Sequence, residues 1–301
     1  MKCNLCKSTE FKTISNYKYS DKIFKNLKLY LCKNCEVYFS YPLIKDEKLN
    51  IYYNNTPNTS IGEPNSGRTN LAFAHMLAKK RTLYILNNST LPKDKKIKIL
   101  EIGPGYGHLS SSIKSEFIIE NYSAIESDLK CHHTLNKLDI NIYKDLNEIP
   151  KNSKYDLIVL SHILEHVQDP TNFFKNLNIY LNDKGIIFVD IPCEDWRYKS
   201  IFEPHLFFYN KKSLYGLFNI LNLKILSIDY FGDEIKNIKN DNPFFFKKLF
   251  KRLFKYIQYI YYSIYLFNFG SPVLEFIANK NFKADKNNIN KSRWIRLIVE
   301  K

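Results

Sequence analysis

The sequence predicts an α/β protein built on a mainly parallel sheet, with a small metal-dependent module ahead of it. Three observations carry this. A short apolar run, Ile97 to Ile102, delivers the chain into glycines at 103, 105 and 107, three of only nine in 301 residues. Apolar strands and helical stretches then alternate from 97 to about 230, the pattern of a parallel sheet covered on both faces. Four of six cysteines fall as two CxxC pairs near the N-terminus.

The cysteines come first. Cys3, Cys6, Cys32 and Cys35 supply four thiolates in two knuckles, the ligand set of a closed, structural zinc site. Phe11, Ile14, Tyr17, Tyr30 and Leu31 between them read as short strands joined by a polar hairpin at 21–26. Residues 1–42 are therefore expected to form a zinc ribbon, too small to fold without its metal. Four cysteines leave no open position for catalysis. Cys131 and Cys193 read as buried, inert thiols. No apolar leader precedes Cys3, so a reducing, cytoplasmic location is expected.

Residues 43–94 read as a linker followed by a helix. Pro42, Pro57, Gly62 and Pro64 among Asn, Thr and Ser mark 42–66 as loop, and Leu71, Ala74, Leu77, Ala78, Leu83 and Leu86 give 68–88 a helical pattern. The core is assigned to 95–232, with strands ending at Ile102, Ile125, Tyr143, Leu160 and Ile191 and a sixth over 223–230. Asp169-Pro170 is an N-cap followed by proline at the first helical position. A last strand over 292–301, carrying Trp294 to Val299, pairs with the sixth as a hairpin.

A glycine turn after the first strand lets a ligand meet the backbone without a Cβ in the way, at the carboxyl edge where α/β sheets bind ligands. Glu126, at the end of the second strand, suits two ribose hydroxyls. These features serve a dinucleotide or S-adenosylmethionine equally. The GxGxG spacing followed by His108, the acidic Glu101 at the end of strand one, and the closing strand pair favour the latter.

Ile99 to Gly107, Glu126, and Asp156 to Pro170 (DLIVLSHILEHVQDP) resemble the class I S-adenosylmethionine-dependent methyltransferases. The resemblance spans about 95–232 plus the last strand. It implies a Rossmann-like seven-stranded methyltransferase sheet, with Gly103, Gly105 and Gly107 against the methionine part of the cofactor and Glu126 on its ribose. It further implies that Glu101 meets the cationic methionine moiety, Ser161 and His162 line the sulfonium and acceptor side, and Asp145 contacts adenine. His162, Glu165 and His166 also form an HxxEH signature, a helical zinc motif in some proteases. Directly after a buried strand it reads instead as a turn capping that strand, or as a divalent-ion site of the kind found in some quinone-biosynthesis O-methyltransferases.

The ribbon together with Phe202-Glu203-Pro204-His205-Leu206-Phe207-Phe208-Tyr209 resembles the deoxysugar C-methyltransferases, whose EHxxYF-like stretch supplies a catalytic histidine. This implies His205 as general base, with Tyr209 and His162 beside the acceptor. The glycine turn departs from that family's EIGxNDG, which leaves O- and C-methylation of a sugar or glycan precursor both open.

Net charge is +15, and basic residues cluster near 250. Within 233–291, read as a basic aromatic helical insertion before the last strand, Phe244 to Lys255 carries five cations and runs into Tyr256 to Phe267. A peripheral membrane contact through 244–267, or a packing surface, is expected. The acceptor is expected to be nucleotide- or lipid-linked, the latter agreeing with a membrane contact. Two alternatives stand. One is an RNA methyltransferase, although the chain lacks the NPPY- or PC-type tetrapeptide that receives a flipped base. The other is a non-enzymatic interaction protein with a degenerate pocket.

Overall fold

The computed structural model describes residues 1–55, 63–65, 68–238 and 290–301. The segment 244–267 lies outside the described residues. Strands β1 (Phe11–Asn16), β2 (Lys28–Cys32) and β3 (Tyr38–Tyr41) form an antiparallel sheet, called the ribbon below. Helices α1 (Asp46–Asn55) and α2 (Arg68–Asn88) lead into the core.

The core then runs β4 (Ile97–Ile102), α3 (His108–Lys114), β5 (Ile119–Ile125), α4 (Leu129–Asn136), β6 (Asn141–Tyr143), β7 (Tyr155–Ser161), α5 (Pro170–Ile179) and β8 (Leu181–Pro192). It closes with β9 (Phe207–Phe208), α6 (Lys211–Ile220), β10 (Lys224–Glu234), the short α7 (Ile235–Ile238) and β11 (Ser292–Glu300).

Seven strands make one sheet in the order β10-β11-β8-β7-β4-β5-β6. The five from β4 to β8 are parallel, and β11 is antiparallel to both β8 and β10. The order reverses at β4, between β5 and β7, which is where such sheets receive ligands. Side chains alternate across the sheet. Leu100, Ile102, Ile158, Leu160, Ile187, Val189 and Ile191 pack on one face with Phe174, Leu177, Leu214 and Phe218 of α5 and α6. Ile97, Ile99, Leu157, Val159, Ile186 and Phe188 pack on the other with α2, α3 and α4. Both faces being covered explains why these strands read as continuous apolar runs.

Two differences from the sequence reading matter. Residues 46–55 are a helix rather than linker. The Pro and Gly cues all lie outside it, Leu49 is buried, and the Tyr52 ring meets Phe24 edge-on at 5.1 Å. The ribbon is also not a separate bead. Its sheet gains a fourth strand from the core, β9, paired with β3 through Phe39 and Phe207, and its core is continuous with one face of the central sheet.

Candidate active site

The glycine turn is built as its composition demands. Gly103, Gly105 and Gly107 all adopt positive φ, at 66°, 57° and 75°. They differ in surroundings. A Cβ on Gly103 would stand 2.5 Å from Ile163 Cδ1, and one on Gly107 would stand 2.8 Å from Leu138 Cδ1, whereas one on Gly105 meets nothing within 4 Å among the described residues. Gly103 and Gly107 thus serve packing, and Gly105 is where a ligand can reach the backbone. Gly107 also caps α3.

Glu126 is buried beside this turn. Its carboxylate accepts from the Gly105 N–H at 2.8 Å and the Asp128 N–H at 2.9 Å. Each oxygen keeps lone-pair capacity for a hydroxyl. An open backbone position beside a fixed buried carboxylate fits S-adenosylmethionine. Gly105 and Glu126 would hold it.

Glu101, implied to meet the methionine moiety, is held by the protein's own hydroxyls. It is buried under the turn, with Oε2 accepting from Ser110 and Tyr122 hydroxyls, each at 2.6 Å. Burial pushes its carboxyl up in pKa, although both hydroxyls oppose this. It ties β4 to α3 and β5. Asp145 is exposed and caps a short 3-10 turn, accepting from the Asn147 N–H at 2.7 Å. Ser161 ends β7 half-buried, in register with Asp190 of β8.

Beyond β7, His162 takes a left-handed φ of 60°, a strained conformation for a non-glycine residue. Its N–H donates to the Asp190 carbonyl at 2.9 Å. Arg81 Nη2 stands 3.0 Å from His162 Nε2. A guanidinium only donates, so Nε2 is the accepting nitrogen and Nδ1 carries the proton, facing Glu165 Oε1 at 3.3 Å. Arg81 also pairs with Asp190 at 2.5 Å, and Asp190 meets Arg296 on its other oxygen at 3.3 Å. Burial opposes the Asp190 charge, but the two guanidiniums prevail and hold its pKa below the usual range.

His205 sits in the loop after β8. The loop begins with Glu194, which adopts φ 38° and takes Arg197, Lys291 and Asn210 onto its buried carboxylate. Asp195 follows, fully buried. Its Oδ2 lies 2.8 Å from His205 Nδ1 and 2.8 Å from Lys199 Nζ, close charge contacts that fall short of aligned hydrogen bonds. Burial works against the charge, yet His205 and Lys199 hold Asp195 low in pKa.

The His205 and His166 rings meet edge-on at 4.9 Å. Glu165 Oε1 stands 4.0 Å from His166 Nε2, while its Oε2 is buried with no hydrogen-bond partner among the described residues. Burial is outweighed at Glu165 by His162, His166 and His205, and its pKa falls. Burial lowers His166 to about 4, so it is neutral near pH 7. Donor atoms of Glu165, His166 and His205 lie within 4.8 Å of one another. The 4.0 Å between Glu165 Oε1 and His166 Nε2 is wider than the ~3.3 Å edge of a tetrahedron with ~2.0 Å bonds, so a cation there would require inward movement.

Tyr209 is a correction. Its implied place beside the acceptor is not where the structure puts it. It is wholly buried, stacked on Phe207 at 5.8 Å, with its hydroxyl donating to the Leu164 carbonyl at 3.3 Å. Burial and the nearby Glu165 push its phenol well above the ordinary value. It is a packing residue. Asp195, Arg81 and Tyr53, whose hydroxyl is 3.4 Å from His166 Nδ1, escaped the sequence reading. Asp195 alone left a trace there, as one of two consecutive acids after a buried strand.

In the ribbon, Cys3 and Cys35 sulfurs are 3.7 Å apart and Cys6 and Cys32 sulfurs 3.5 Å. All four lie within 4.8 Å of one another. The edge of a tetrahedron with ~2.3 Å Zn–S bonds is about 3.8 Å, so the residues fit zinc. The hydrogen bond from Cys35 drives Cys3 down to about 5 and Cys35 up.

Taken together, sheet order, left-handed glycine turn and buried Glu126 define a class I methyltransferase core. Residues 73–228, slightly more than half of the chain, match the family model described as Methyltransferase domain, and the chain belongs to that family. Among curated proteins it is similar to the ubiquinone biosynthesis O-methyltransferases of two Rickettsia bellii strains, 24% identical over 98 residues, or 31% of this chain. The chain spans 41% of the length of those relatives. Similar solved structures include the plantazolicin methyltransferase BpumL in complex with SAH (16% identity, TM-score 0.42, covering 85% of this chain and 91% of that one). Another is a SAM-dependent methyltransferase from Archaeoglobus fulgidus (16%, TM-score 0.46, covering 75% and 94%).

Proposed function

We propose that the protein transfers a methyl group from S-adenosylmethionine to a sugar or glycan precursor, with His205 as general base. The observation that carries this reading is the pairing of two half-sites at the carboxyl edge of one sheet. Gly105 and Glu126 can hold the donor, and a histidine backed by a buried carboxylate stands on the loop after β8. S-adenosylmethionine, when bound, supplies an electrophilic methyl on a sulfonium. The chain's own work is to align an acceptor and remove its proton. His205 suits proton removal because a neutral imidazole offers one ring nitrogen as an acceptor. The ubiquinone O-methyltransferases among the relatives favour oxygen over carbon as acceptor atom. The four ribbon cysteines would hold a structural zinc ion. Residues 244–267 would bring the protein to an anionic membrane surface if the acceptor is lipid-linked.

A labelled methyl-transfer screen across nucleotide sugars, glycolipids and RNA tests this reading, with His205→Ala alongside. Transfer to a sugar class, falling roughly 100-fold or more in the variant, supports it. Undiminished transfer removes the base. Transfer to RNA alone, with binding that falls steeply with salt, moves the reading to nucleic acid.

A further inference from the structure

The loop carrying His205 is held less by the core than by the ribbon. The Tyr17 hydroxyl donates to the His205 carbonyl at 2.8 Å, and its ring meets Phe202 edge-on at 5.5 Å. The Phe202 N–H donates to Lys18 at 2.7 Å, and the Ser40 N–H to Leu206 at 2.8 Å. Glu203 Oε2 accepts the Ser20 and Asp21 N–H groups at 2.9 and 3.1 Å. Both residues flanking the Pro204-His205 pair are therefore tied to the ribbon. From the other side, Leu206 donates to the Glu165 carbonyl at 2.8 Å, and Asp195 meets the imidazole.

We propose that Tyr17 and Asp195 are positioning residues for His205, the ribbon fixing its backbone through Tyr17 and Asp195 fixing its ring. This rests on the reading of His205 as the base. Tyr17 is buried, and desolvation pushes its phenol up in pKa, so it stays protonated and able to donate. The negative charge of Asp195, 2.8 Å from Nδ1, favours the proton there and leaves the Nε2 lone pair as the accepting site. The ribbon is thus a structural part of the acceptor half-site. Its side chains touch no substrate in this scheme. They decide where the imidazole stands.

Two measurements on the full chain test this without knowing the acceptor. Long-range 15N–1H correlation spectra report which ring nitrogen carries the proton, with His205 signals assigned by their loss in His205→Gln. The wild type is expected as the Nδ1–H form. Asp195→Asn should shift the population to Nε2–H, and Asp195→Glu should restore Nδ1–H. Unchanged Nδ1–H in Asp195→Asn overturns the role of Asp195. Tyr17→Phe should raise hydrogen exchange at the Phe202, His205 and Leu206 amides about tenfold, the loss of one hydrogen bond to a buried carbonyl. Exchange in β4 and SAH binding by calorimetry should stay unchanged. Wild-type exchange at those three amides overturns the role of the ribbon. Should Asp195→Asn fail to bind SAH, the Tyr17 arm decides. Full methyl transfer by His205→Gln would end the base assignment and leave both measurements standing.

Discussion

At the scale of single residues, the three glycines divide into two kinds, and substitution separates them. Gly107→Leu drives a side chain into Leu135 and Leu138 at a left-handed φ, and should cost several kcal/mol in thermal unfolding. Gly105→Ala meets open space, so only the left-handed strain of about 1–2 kcal/mol applies. Its larger effect should be on SAH affinity measured by calorimetry. Tyr209→Phe deletes a hydroxyl bonded to the Leu164 carbonyl. It should cost about 1 kcal/mol of stability and leave SAH affinity unchanged. His166 adds a pH dependence. Its folded pKa of about 4 lies below the ordinary 6.5, so the unfolded chain binds the extra proton in that window. Stability should fall as pH drops from about 6.5 to about 4, and a melting series of His166→Gln should show a shallower slope. In Asp145 and Glu101 the residue types were legible in sequence, but their hydrogen-bond partners were not. An acid at a strand end serves as cap or core tie as readily as ligand.

At the scale of elements, α1 and the loop after β8 are where local patterning ran short. Residues 46–55 lack the apolar periodicity that marks an amphipathic helix. The helix forms because Leu49 and Tyr52 find the ribbon's apolar side, a surface no local rule describes. The loop after β8 likewise has no periodicity, yet Glu194 and Asp195 bury two carboxylates in it against Arg197, Lys291, Lys199 and His205. In contrast, the clustering of the four cysteines was legible because two CxxC pairs match the ligand spacing of tetrahedral metal sites. Cys32→Ser should abolish stoichiometric zinc, read by atomic absorption, and unfold β1 to β3.

At the scale of the whole molecule, ribbon and core share one apolar cluster and one four-stranded sheet. They should unfold as one cooperative unit. Metal chelation is expected to lower the melting temperature of the core strands as well as of the ribbon, followed by hydrogen exchange in β4 and β7. A core transition indifferent to chelator would contradict this coupling. Among the described residues no helix is long and apolar enough to cross a membrane.

The strands of the central sheet, the glycine turn, Glu126 and the two cysteine pairs follow from the sequence by itself. Each reflects a local requirement: period-two or unbroken apolar runs, positive φ, fixed ligand spacing. Which polar groups meet was decided only by the tertiary structure. Tyr17 and His205 are 188 residues apart, and Arg81 and Asp190 are 109 apart. A contact at that separation leaves no periodic mark on the chain, because it depends on how whole elements dock.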